Sequence, residues 1–170
     1  LAWAPQLFDS VKPGVELDYS PRSLVTGRDL VAQVGFDRAM SSINQCAEKM
    51  RERLPDSPIV VIGYCWGGTL AWLSSTRLEP GLIDGAVCYY GRQIVDFKDE
   101  ENNVPVILHF GKNDSLIPME SVKEIKKAKP HLPLYVYDAG HGFNCDDRED
   151  FDEDASQQAK ERTLDFIEML

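Results

Sequence analysis

Three residues with complementary chemistry each stand just beyond an apolar run. Cys65 lies in Gly63-Tyr64-Cys65-Trp66-Gly67-Gly68, Asp114 ends Gly111-Lys112-Asn113-Asp114, and His141 lies in Ala139-Gly140-His141-Gly142-Phe143. A thiol, a carboxylate and an imidazole in that order along the chain can form a nucleophile, an orienting acid and a general base. His141 would take the thiol proton and return one to a leaving group, while Asp114 would fix the imidazole tautomer and stabilise its charged form. Taken singly, each has an ordinary structural reading. A cysteine after a strand is a small core hydrophobe and a loop aspartate is a turn residue. The ordered set, each member beyond its own strand, gives the three a common purpose.

The elements that must position them follow from the pattern. Pro58–Ile62 is an apolar run and residues 58–63 read as a buried strand, which must turn sharply at Cys65 into a helix over 66–77. Glycines around the nucleophile permit that crowding. The start of that helix carries unpaired N–H groups and partial positive charge, which favours a Cys65 thiolate and makes the Trp66 N–H an oxyanion donor. Further strands are expected at 83–90, 104–110 and 134–137, with helices at 36–54, 118–129 and 155–170. Residues 8–29, with Pro13-Gly14, Pro21 and Gly27, read as irregular, and Leu1–Pro5 as the end of a buried strand. Alternating strands and helices imply a parallel sheet covered on both faces in one α/β domain over 1–170, with ligands gathering at the carboxyl ends of its strands.

The net charge of -10 argues against nucleic acid and anionic membrane as partners, since both need a basic footprint. The acidic run Asp146–Asp154 reads as a solvated loop, because it lacks the spaced ligands and turn glycine of a calcium loop. No metal or cofactor is expected. No apolar run reaches membrane-span length, and the four cysteines, Cys46, Cys65, Cys88 and Cys145, show no close pairing; they read as reduced thiols in a cytoplasmic protein. His109 reads as a packed residue within its strand and His131 as a surface connector.

With those motifs in place the chain resembles the dienelactone hydrolase (carboxymethylenebutenolidase) family. The likeness rests on Gly63–Gly68, Tyr89-Tyr90-Gly91, the Gly-x-x-Asp ending at Asp114, Ala139–Phe143, and Glu161–Phe166 in the last helix. The resemblance implies an α/β-hydrolase fold and hydrolysis of a small lactone or carboxylic ester through an acyl-thioester, with Cys65, Asp114 and His141 as the triad and no cofactor. It also implies that Tyr64, Tyr90, Arg92, Phe143 and Cys145 border the substrate. A family member carries an upstream portion with the first strands, a second oxyanion donor and a glutamate that contacts the nucleophile. Leu1–Phe8 resembles the segment that follows that portion, so the chain reads as N-terminally truncated.

Where the best-studied members place a substrate-binding arginine after the histidine motif, this chain has Cys145. Arg22, Arg28 and Arg92 are the available substitutes, each with surface charge as its other reading. The chain is expected to be monomeric, with self-association through an exposed sheet edge if strands are missing. Two other functions stand beside hydrolysis: a non-catalytic hydrolase fold, and thiol redox chemistry between Cys65 and Cys145.

Overall fold

Four apolar runs pair as parallel strands in the computed structural model, which describes residues 1–170. They are β1 (Val60–Tyr64), β2 (Gly85–Tyr89), β3 (Val106–Gly111) and β4 (Leu134–Tyr137), in the spatial order β1-β2-β3-β4. The register sets Tyr64 beside Tyr89 and Tyr89 beside His109, so the carboxyl ends of the strands form one edge. Helices α2 (Trp66–Arg77), α3 (Met119–Ala128) and α4 (Glu153–Glu168) follow β1, β3 and β4, and a 3₁₀ turn, Arg92–Phe97, follows β2. This is the expected parallel α/β arrangement.

The main core joins Trp72, Val87, Leu108, Phe110, Ile125 and Phe166, all nearly or fully buried. A smaller one lies under the long N-terminal helix, where Val34, Ala39, Ile43 and Ala47 meet Ile59, Leu70 and Ile83. On the face covered by α4, buried polar groups form a continuous chain. His109 Nδ1 lies 2.8 Å from the Tyr137 hydroxyl and Nε2 3.2 Å from Thr163 Oγ1, which is 2.8 Å from the Tyr89 hydroxyl. Burial, helped by the charge of Arg162, pushes the His109 pKa down to about 3, so this imidazole stays neutral.

Three expectations are corrected. Residues 21–34 are helical, part of α1 (Pro21–Arg53), where an irregular segment is expected over 8–29. Ser20 caps this helix by accepting the Ser23 N–H, and Pro21 occupies the first turn, where its missing donor costs nothing. The helix breaks instead at Gly35, whose φ of 66° only glycine adopts readily. Leu1–Pro5 is no strand: it has no regular structure, and Leu1 is 77% exposed. Finally, β1 is not buried. It is the sheet's edge, and Ile62 and Tyr64 are 42% and 48% exposed. An apolar cavity of about 330 Å³, lined by Trp3, Leu7, Ile43, Met50, Ile59 and Leu70 among others, runs beside it.

Candidate active site

The sharp turn from β1 into α2 puts Cys65 at φ 55°, ψ -117°, outside the regions a side chain prefers. Its N–H donates to the Tyr89 carbonyl (3.0 Å), and its carbonyl accepts from Gly68 N (3.0 Å) and Thr69 N (3.3 Å). The backbone of Gly67 lies so close to Gly63 that a side chain at 63 would overlap it. Tyr90, at the end of β2, is the other non-glycine residue with positive φ, at 37°. Its N–H donates to the His109 carbonyl at 2.7 Å.

The three residues expected to act together meet at this edge. His141 Nε2 is 3.1 Å from Cys65 Sγ, and its Nδ1 is 2.7 Å from Asp114 Oδ2. The second Asp114 oxygen accepts the N–H groups of Leu116 (2.7 Å) and Ile117 (3.0 Å). Both carboxylate oxygens are therefore occupied, in a side chain fully withdrawn from solvent. A buried carboxylate held this way stays in place and directs the imidazole.

The electrostatics match that arrangement. Burial works against charge on His141, but the hydrogen bonds to Asp114 and Cys65 outweigh it and raise its pKa to about 9. Burial likewise raises the Cys65 thiol, yet the His141 hydrogen bond and charge overcome it, aided by the Trp66 N–H and Arg148. The net direction is downward, toward a thiolate paired with an imidazolium. Cys88, fully buried without such partners, is pushed far upward and is inert.

The remaining predicted residues divide. Tyr90 belongs to the site's wall, with its ring 5.1 Å from that of His141. Cys145 follows on the same turn, with Sγ 3.2 Å from the Tyr19 hydroxyl. Tyr64 stacks on Tyr89 at 4.8 Å and opens to solvent at the β1 edge. Phe143, expected to border a substrate, is instead fully buried, 5.1 Å from Tyr137 and 5.4 Å from Tyr90, and is a core residue. Arg92 is exposed and lines a separate polar cleft of about 700 Å³ with Gln93, Asp96, Ser115 and Ser121, beside the Asp114 loop and away from Cys65. No cluster of His, Cys, Asp or Glu side chains is arranged to hold a metal ion. No helix is long and apolar enough to cross a membrane.

The residue that sequence reasoning missed is Arg148. It lies within the acidic run read as solvated, but that run turns back over the histidine. Cys145 N bonds Gly142 O, Arg148 N bonds Cys145 O, and Asp152 N bonds Phe143 O, at 2.9–3.1 Å. The Arg148 side chain rests on Gly142 and Asp150 on Gly140, so the two glycines flanking His141 are where the returning loop packs. The legible signal was the paired glycines themselves, which imply a close neighbour on each side of the histidine.

Comparison with known proteins agrees with the fold. The model of the dienelactone hydrolase family matches residues 2–170. A carboxymethylenebutenolidase of Pseudomonas sp. strain P51 is 28% identical over 176 residues, spanning 98% of this chain and 71% of that protein. A Salmonella typhimurium relative is 29% identical over 185 residues, and there the chain spans 66% of the relative's length. Among solved structures, a Klebsiella pneumoniae protein designated a candidate dienelactone hydrolase superposes with a TM-score of 0.76 at 24% identity, over 84% of this chain and 65% of that one. A Pyrococcus furiosus esterase superposes with a TM-score of 0.64 at 16% identity, over 78% of this chain and 62% of that one. At those identities the structures speak for the fold alone. Family model, curated relatives and fold agree: the chain belongs to the dienelactone hydrolase family.

Proposed function

We propose that this chain carries the nucleophilic site of a thiol-dependent hydrolase acting on a small lactone or carboxylic ester. The observation that carries the reading is the continuous line from Asp114 through His141 to Cys65, at 2.7 and 3.1 Å. Family membership and the carboxymethylenebutenolidase relatives support the same reaction class.

In this reading the Cys65 thiolate attacks the acyl carbon, forming a C–S bond and a tetrahedral oxyanion that the Trp66 N–H at the start of α2 can stabilise. Collapse breaks the acyl C–O bond, and His141 gives its Nε2 proton to the departing alkoxide, which in a lactone stays tethered to the acyl group. Water then enters. His141 takes a proton from it, hydroxide adds to the thioester, and the thiolate departs, restoring the imidazolium–thiolate pair. Asp114 holds the Nδ1–H throughout.

The test is turnover of p-nitrophenyl acetate with intact-mass detection of an acetyl adduct on Cys65. Cys65→Ala is expected to abolish both. Turnover that survives the substitution overturns the reading.

A further inference from the structure

The arginine whose charge acts on the proposed nucleophile has no carboxylate partner, although it sits among four. Arg148 is flanked in sequence by Asp146, Asp147, Glu149 and Asp150, all exposed, while Arg148 itself is half-buried. It forms no salt bridge with any of them. Its stem and guanidinium lie against Gly142, where a β-carbon would come within 2.7 Å of Cδ and 3.0 Å of Nε. The far side of the guanidinium faces the Tyr19 ring, with Cζ 5.3 Å from the centroid, within cation–π range. Tyr19 is held in turn by its neighbours: Asp18 accepts from Ser20 N and Oγ, and the Tyr19 hydroxyl meets Cys145 Sγ at 3.2 Å.

We propose that Arg148 is a positioning residue of this site: stacked beneath Tyr19 and seated on the Gly142 turn, it holds the His141 loop in place and supplies a fixed positive charge that keeps Cys65 as thiolate. The proposal rests on Cys65 being the reactive thiol of the preceding section. An unpaired guanidinium is suited to this work. No ion pair with a carboxylate offsets its charge. The other groups around this thiol are His141, bonded to Cys65, Tyr90 against the His141 ring, Asp114 behind His141, and Cys145 against Tyr19. Arg148 is the one permanent cation among them, and its charge acts on Cys65, Tyr90 and Tyr19 alike. The same placement explains the glycine at 142. Its φ of 85° shapes the turn, and the absent side chain is the space Arg148 fills.

Peptide-resolved alkylation of Cys65 by iodoacetamide, a neutral reagent, followed across pH in the parent and in Arg148→Met, Arg148→Lys and Tyr19→Leu, tests this. Removing a neighbouring charge shifts a thiol by about one unit or more, so Arg148→Met is expected to alkylate roughly tenfold more slowly near pH 6 and to match the parent at high pH. Arg148→Lys is expected to recover most of the lost rate, and Tyr19→Leu to fall between. A purely structural role for Arg148 would lower the rate at every pH without moving the inflection. An Arg148→Met profile superimposable on the parent overturns the proposal, as does an Arg148→Lys profile shifted as far as that of Arg148→Met. Should Arg148→Met fail to fold by circular dichroism, Arg148→Gln and Arg148→Lys give the same comparison. If Cys65 in the parent alkylates only in the range of an ordinary thiol, the proposal falls. If ester turnover survives complete alkylation of Cys65, the hydrolase reading falls while the assignment of Arg148 stands.

Discussion

The α-carbon of Gly63 faces the backbone carbonyl of Gly67 with no room for a methyl group between them. That contact closes the elbow: it lets α2 start directly on the end of β1 and presents the Cys65 thiol at the turn. Gly63→Ala must move backbone rather than a side chain, so it is expected to destabilise the fold by roughly 3 kcal/mol or more and to remove activity. Gly67→Ala places its methyl in open space within a helix and is expected to be neutral or to stabilise by up to about 1 kcal/mol. Urea midpoints of the two variants check the contrast.

In the proposed reaction Asp114 acts through His141, with its carboxylate withdrawn from solvent. In Asp114→Asn the amide keeps the shape but removes the charge that holds the imidazolium. Turnover of p-nitrophenyl acetate is expected to fall by roughly 10³–10⁴-fold, and the pKa of His141 to drop from about 9. Imidazole NMR titration reads the second effect directly. Unchanged titration of His141 in this variant would remove the orienting role.

Activity should follow a bell-shaped pH profile. The rising limb reports formation of the Cys65 thiolate below the ordinary thiol value of 9.0, and the falling limb reports loss of the His141 proton near 9. The stability linkage has the matching signs. The raised His141 pKa stabilises the fold fully below its ordinary 6.5 and loses that contribution as pH rises through about 9. The lowered Cys65 pKa contributes fully above 9.0 and is lost as pH falls through its folded value. A rate profile with a single ascending limb and no decline at high pH contradicts the imidazolium as proton donor.

His109 predicts the opposite behaviour in acid. Its pKa is depressed to about 3, so the stability it confers as a neutral group is complete above 6.5 and is lost progressively as pH falls toward 3. His109→Gln has no charge to acquire. It is expected to lower stability at neutral pH through the lost bonds to Tyr137 and Thr163, yet to flatten the acid slope between pH 6 and 4. Chemical unfolding at stepped pH measures that slope.

Much of this site could be read from sequence because parallel sheets gather their strand ends. Cys65, Asp114 and His141 each follow a distinct apolar run, and parallel pairing leaves such positions on one edge. What sequence could not convey was the direction of side chains after the strands. Phe143, two residues beyond His141, turns into the core, and Arg92 turns to a neighbouring cleft. Arg148 was concealed by composition, since a run of acids reads as solvent-facing whatever one member touches. The first half of α1 was concealed by Pro21 and Gly27, which ordinarily punctuate structure. Pro21 sits where a helix tolerates it, and the break falls at Gly35.

The positive φ values of Cys65 and Tyr90 carry a consequence for how the molecule fails. Each such conformation costs on the order of 1–3 kcal/mol and persists only while its surroundings enforce it. Their N–H groups are each tied to the neighbouring strand by one backbone bond, Cys65 to the Tyr89 carbonyl and Tyr90 to the His109 carbonyl. When solvent or mutation loosens that scaffold, these residues gain most by relaxing, well before β2 and β3 part. The corner is thus expected to behave as a fuse: in mild denaturant ester turnover should fade while far-ultraviolet circular dichroism still reports an intact sheet.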